Sequence, residues 1–263
     1  MANSTNTTRV DPIRENHYRP LEQSELASTW LFYVGAAVSF LPLSIDPTLN
    51  PKTYSASVIL FVLLVLANFF IGITNRLYFF PRAEDARRKE FLSNTFGFDL
   101  IHQRTAGYYN NNEIDPLRRL GVSSLENLFF SKAILRKMAP AARFKAFAYF
   151  AIWLVIALWR EVPLDWISAG AQVLFSAEII SRWLRLEWAR NRAEHLYDST
   201  HRLFQLNPIA DKFAAYSIAA FADYESGKAL GGILLSQTIF DQYNTSLSAE
   251  WETVKNGLPL VYP

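Results

Sequence analysis

Between Glu25 and Asp46 the chain runs for twenty residues without a formal charge, LASTWLFYVGAAVSFLPLSI, and between Lys52 and Arg76 for twenty-three more, including VILFVLLVLANFFIGI. At the α-helical rise, twenty residues cover roughly 30 Å, the thickness of a bilayer's hydrocarbon core. A helix that covers a water-soluble core keeps one charged face, and these segments keep none. Their length therefore argues for two membrane crossings over two buried core helices. The short DPTLNPK stretch between them is rich in turn formers, so the pair reads as an antiparallel hairpin.

Averaged over all 263 residues this signal fades, because 51% are apolar and 15% aromatic yet the mean hydropathy is only +0.05. A membrane portion must share the chain with a sizeable water-facing portion. The net charge of +2 excludes a globally basic nucleic-acid binder and leaves any anionic partner to a local patch. Absence of cysteine removes disulfides, thiolate zinc sites and cysteine nucleophiles. The start of the chain, with Asp11, Glu15, Glu22 and Glu25, lacks the basic and apolar regions of a signal peptide.

A third apolar run, Ala146 to Trp159, reads AFAYFAIWLVIALW, and its fourteen residues need Lys145 and Arg160 to snorkel from the ends. A fourth, Pro163 to Ser181, carries Asp165 near one end and Glu178 near the other, with the turn at Glu161 to Pro163 making a second hairpin. The alternative for this pair is a hairpin lying at the interface or packed in a soluble core. Of the 26 lysines and arginines, 24 lie before the first segment, between Arg76 and Lys145, or after the fourth. Only Lys52 and Arg160 fall in the two turns opposite, so the positive-inside rule places both termini and the middle region in the cytoplasm. The expected fold is thus an all-α membrane protein of two helical hairpins, about four transmembrane helices, with a cytoplasmic helical domain. Its parts are a polar N-terminus (1–25), a first hairpin (26–76), a cytoplasmic helix and loop region (77–145), a second hairpin (146–181) and a cytoplasmic stalk and cap (182–263).

Within the middle region Pro81 suits a first helical position, and Arg87, Arg88 and Lys89 form a basic cluster. GFDLIHQRTAGYYNNNEIDPLRRLG reads as an ordered loop, and the capping-box spacing of Ser123 and Glu126 predicts a helix over LENLFFSKAILRKM. From Ile179 to Leu206 a helical pattern runs without a breaker. Ile179, Trp183, Leu186, Arg190, Ala193, Tyr197, Thr200 and Phe204 alternate spacings of four and three, one seam that packs either on its own chain or between copies in an oligomer. The remainder alternates helix-like runs with glycine breaks.

No catalytic or metal signature stands out. His17, His102, His195 and His201 are scattered, and there is no P-loop, dinucleotide fingerprint or nucleophile elbow, so the chain is expected to be no enzyme and to hold neither metal nor cofactor. Ser93, Asp99 and His102 are the one loose constellation. Polar residues inside the apolar segments face either a cavity or a neighbouring helix. Asn68, Gly72 and Asn75 form one such stripe, and Ser168, Gln172 and Ser176 another; Glu178 stands at its end, either attracting cations or pairing with Arg182. A chain this small encloses no wide channel alone, so a pore requires a symmetric homo-oligomer. Arg104 with Tyr108 and Tyr109, Arg118 with Arg119, and Arg185 and Arg190 near Trp183 and Trp188 mix guanidinium with aromatic faces. That chemistry serves phosphate and base stacking, and equally interfacial anchoring or helix packing.

The order of features resembles bacterial membrane effectors associated with SMODS-type nucleotidyltransferases, the SLATT-like and four-helix families of anti-phage operons. It comprises a membrane hairpin, ARRKEFLSNTFGFDL, GYYNNN, SSLENLFFSKAILRKM, a further hydrophobic hairpin and a helical tail ending near SLSAEW. Within them it looks most like the membrane effectors of Hailong defence systems. That resemblance covers the chain from about residue 25 onward. It implies a homo-oligomeric channel in the bacterial inner membrane, for which a tetramer is the expected assembly, held shut by single-stranded DNA made by a partner nucleotidyltransferase. It carries over no ligand residue position by position. A membrane-bound enzyme acting on lipid or nucleotide, and a non-conducting scaffold for a cytosolic partner, are the rival readings.

Overall fold

The structure is a computed structural model that describes residues 10–105, 111, 113–159, 161–176 and 178–259. Among the described residues it is all-helical, with nine α-helices and two π-helical turns. The helices are α1 (Arg19–Val38), α2 (Leu41–Ser44), α3 (Pro51–Thr74), α4 (Phe80–Phe96), α5 (Pro116–Leu158), α6 (Leu164–Leu174), α7 (Ile180–Leu206), α8 (Ala210–Gly231) and α9 (Gln237–Asn256). The π turns are Arg14–Tyr18 and Asn75–Phe79. Three helical stretches, Arg14–Ser44, Pro51–Phe96 and Pro116–Leu158, are long and apolar enough to cross a membrane. The fourth expected segment contains α6, whose 11 residues reach only about 16 Å.

Two boundaries differ from the sequence reading. Pro81 does not begin a helix, because α3, the π turn and α4 run on from one to the next. A proline inside a helix clashes with the carbonyl four residues earlier, here Leu77 within the wider π turn, which relieves the crowding. Likewise α5 starts at Pro116, two turns before Ser123. Asp115 accepts from the backbone N–H groups of Leu117 at 2.7 Å and Arg118 at 3.1 Å, and proline fits the first position, so this cap outcompetes the later one. Ser123 accepts instead from Asn111 at 2.7 Å. Helix α5 also runs through Pro140, which makes it a single element of 43 residues.

By internal packing the chain divides into two units. The first takes in the residues up to Glu15, Glu84–Ala141 and Arg185 onward. Its core joins Val122, Leu125, Leu128 and Phe129 of α5 to Leu196, Tyr197, Leu203 and Phe204 of α7, Phe213 of α8, Leu247 and Trp251 of α9, and Leu258. Phe204 and Phe213 meet edge to face at 5.1 Å, and Phe129 lies 5.7 Å from Trp251. The seam positions Leu186, Ala193, Tyr197, Thr200 and Phe204 are buried, and Tyr197 and Phe204 belong to this core. Gly232 closes α8 with φ of +54°, its N–H bonded to the Lys228 carbonyl at 3.0 Å.

The second unit holds Asn16–Ala83 and Ala142–Leu184. Here α1 packs along α3, with Gly35 set against Leu64. The Trp153 indole of α5 lies so close to Gly170 of α6 that a Cβ there would approach it to 3.0 Å, and its N–H donates to the Ile167 carbonyl at 3.1 Å. Trp166 of α6 stacks on Phe40 at 5.5 Å. Elsewhere this unit presents apolar side chains outward: Leu63, Phe69 and Phe70 on α3, and Phe147, Ile152 and Val155 on α5 are all exposed. A water-soluble unit rarely leaves so large a continuous apolar surface uncovered.

Candidate functional site

The polar residues of the apolar unit fall into two groups. In the first, Ser24 donates to the Asn75 side-chain carbonyl at 2.6 Å and Ser28 to that of Asn68 at 2.8 Å, so Asn68 of α3 and Asn75, which opens the π turn after it, both face α1. A hydroxyl and an amide on facing helices satisfy each other without water and set the hairpin's register. Gly72, between them, has open space where a Cβ would stand. Near the same end of the unit Arg182 lies 3.2 Å from Glu178 and 3.9 Å from Glu25 of α1, so Glu178 is engaged by the arginine four residues on.

The second group lies on α6. Ser168 and Gln172 are exposed, and Asp165, exposed as well, lies on the same face at i−3 and i−7 from them. Trp166, Ile167 and Gly170 of α6 meet Phe40 and Trp153. This short helix is therefore amphipathic and turns Asp165, Ser168 and Gln172 away from its own unit, together with the exposed Leu164 at its start. Ser176 falls beyond the last turn, since α6 ends at Leu174 and Phe175 bonds back to Ala171. The expected Ser168, Gln172, Ser176 stripe thus stops after two members. Asp165 is the member that sequence reasoning missed, although its spacing from Ser168 and Gln172 carried the signal.

The basic positions of the other unit are engaged by their own chain. Arg87 pairs with Asp11 at 2.7 Å, largely buried, while Arg88 and Lys89 share Asp85 at 2.7 Å each. Lys89, then burial against it, then Arg88 act on the Asp85 carboxyl, whose pKa falls below the usual range. Arg104 pairs with Asp99 at 3.1 Å, and Tyr108 and Tyr109 lie outside the described residues. Arg118 donates to Asn207 at 3.0 Å and to the Pro259 carbonyl at 2.8 Å, and stacks over Phe213 at 4.7 Å. Arg119 donates to the Glu113 carbonyl at 2.8 Å and to the Asn94 and Thr95 carbonyls at 3.4 Å, closing the end of α4. Arg190 meets Glu187 and Asn191, and Arg185 lies beside Gly232 at the end of α8. Arg118 and Arg119 knit backbone segments together, whereas Arg88 and Lys89 stand on the surface.

Two members of the loose constellation, Ser93 and Asp99, are engaged by other groups. Ser93 donates to the Lys89 carbonyl and accepts from Leu100, and Asp99 is taken by Arg104. Among the described residues no three His, Cys, Asp or Glu side chains are placed to hold a metal ion. Lys132 lies 3.1 Å above the Tyr197 ring, and burial, with Arg136 nearby, draws its pKa below the usual lysine value. What fold and site define, among the described residues, is an all-helical protein with three helices long and apolar enough to cross a membrane. Comparison with known protein families, with curated proteins and with solved structures finds no match to this chain.

Proposed function

We propose that the protein is an oligomeric membrane channel whose pore is lined by the polar face of α6 and whose helical unit acts as a cytoplasmic sensor. The observation that carries this is the exposed Asp165, Ser168 and Gln172 face on a helix of the apolar unit. A polar face turned outward among lipid-facing helices needs water, and copies arranged about an axis supply a water-filled path. In this reading α5 and α6 with the following turn form the second hairpin, and both termini face the cytoplasm with 24 of the 26 basic residues. Asn68 and Asn75, bonded to Ser28 and Ser24, hold the first hairpin together, and Glu178 pairs with Arg182, so in this reading none of the three lines the path. The resemblance to SMODS-associated effectors supports a nucleotide or single-stranded oligonucleotide ligand made by a partner nucleotidyltransferase. It supports a role in depolarising the bacterial inner membrane during abortive infection. Arg88, Lys89 and Arg104, the exposed members of the basic set, are the first choice for the ligand's phosphates.

Ion flux through proteoliposomes containing the full chain, with and without short single-stranded oligonucleotides, tests the reading. Flux that responds to oligonucleotide and shifts its ion preference in Asp165→Asn is expected. Absence of flux in every condition rejects the channel, and turnover of lipid or nucleotide would turn the assignment toward an enzyme.

A further inference from the structure

The apolar part of α5 is short. From Ala146 to the helix end at Leu158 it has thirteen uncharged residues, which at the helical rise reach about 20 Å against roughly 30 Å of hydrocarbon. The helix can cross only if the bilayer thins beside it or if Arg143 and Lys145 lie where hydrocarbon would otherwise begin. Lys145 stands there over an aromatic ring. Its ammonium lies 4.8 Å from the centroid of the Tyr33 ring on α1, and no carboxylate among the described residues reaches ion-pairing distance of it. The Tyr33 hydroxyl is shut off from solvent without a hydrogen-bond partner. Phe144 and Phe147, one residue before and two after Lys145, are 76% and 72% exposed and offer an apolar border to acyl chains.

An ammonium held at the edge of an apolar layer carries three N–H donors that water or an anion must satisfy. We infer that Lys145, held over Tyr33 at the start of the apolar part of α5, binds the phosphate of an anionic phospholipid. The phosphate moves down to the short helix, neutralises the charge, and leaves its acyl chains against Phe144 and Phe147. A soluble phosphate would fill the donors equally well but would leave those two rings facing water, so the lipid is the occupant the surroundings favour. The inference rests on the membrane reading of α5 and is independent of conduction.

The test uses the full chain in nanodiscs of phosphatidylcholine with a minor share of phosphatidylglycerol, released into detergent and weighed by native mass spectrometry. Wild-type protein is expected to retain phosphatidylglycerol selectively, Lys145→Arg to keep it, and Lys145→Gln to lower its occupancy about five-fold, with Lys52→Gln unchanged. Unchanged retention in Lys145→Gln overturns the site, as does displacement of the retained lipid by inorganic phosphate. Should Lys145→Gln fail to fold, equal retention of both lipids by wild-type protein overturns it instead. Failure of the chain to enter nanodiscs at all would reject the membrane reading, a result distinct from loss of lipid selectivity.

Discussion

Gly121 of α5 faces one of the tightest junctions in the helical unit, and replacing it with alanine sets two effects of known sign against each other. A Cβ there would stand 2.8 Å from the Ser217 Oγ of α8, 3.2 Å from the Phe204 ring and 3.4 Å from the Phe213 ring. Alanine gains about 1 kcal/mol of helix propensity over glycine, while forcing an extra methyl into a packed core costs about 1–3 kcal/mol. With two rigid rings and a buried hydroxyl to displace, overpacking wins, and Gly121→Ala is expected to lower stability by about 1 kcal/mol. Ser217 is fully buried, and its hydroxyl has no hydrogen-bond partner. Ser217→Ala alone should therefore raise stability by about 1 kcal/mol, because an unmet buried hydroxyl costs at least that much. In the Ser217→Ala background the closest contact is gone and the propensity gain is recovered, so Gly121→Ala becomes nearly neutral there. The expected coupling between the two sites is about 1 kcal/mol, read from reversible unfolding in detergent by tryptophan fluorescence in a double-mutant cycle. An equal loss on Gly121→Ala in both backgrounds would refute the idea that the hydroxyl sets the packing limit.

Other expectations follow from named contacts. Arg119→Glu, which opens the carbonyl end of α4, should cost about 1–3 kcal/mol in the same unfolding assay, whereas Arg88→Glu should stay within about 0.5 kcal/mol. If Arg88 and Lys89 touch ligand phosphates, reversing both lowers oligonucleotide affinity and reduces its salt slope by about 1.4 for a single-stranded ligand; an unchanged slope excludes them. Asn68→Leu leaves the Ser28 hydroxyl without its acceptor and should cost about 0.6 kcal/mol of hairpin stability without altering flux, so a changed conductance would return Asn68 to the pore wall. Burial pushes the Tyr224 phenol, bonded to Ser131, up to about 12. The folded state then holds its proton where an unfolded tyrosine has lost it, so this contribution to stability is complete below pH about 10 and fades as pH rises toward about 12. Ultraviolet titration of tyrosinate should show a group titrating near 12 that disappears in Tyr224→Phe.

The seam on α7 shows how a pattern can be legible while its partner is not. The alternation of Leu186, Ala193, Tyr197, Thr200 and Phe204 predicts one buried face, and that face is buried. Heptad spacing says nothing about whether the facing helices belong to the same chain, and here α5, α8 and α9 of the same chain form the core with it. The stripe on α6 fell short for a related reason. Periodicity extrapolates a helix until a breaker appears, and Phe175 to Ile179 holds no proline or glycine to announce the end of α6.

Length and charge alone determined that the first two apolar segments are helices of membrane-crossing length and that basic residues gather away from their connecting turn. Such facts depend on how many uncharged residues follow one another, a property of the chain before it folds. Only the tertiary structure decided what the polar residues within those segments and beyond them face. Asn68 and Asn75 turned to Ser28 and Ser24, Arg119 to the end of α4, and Asp165, Ser168 and Gln172 outward. Which neighbour a hydrogen-bonding group meets depends on how helices far apart in sequence come together, and spacing along one helix does not encode that.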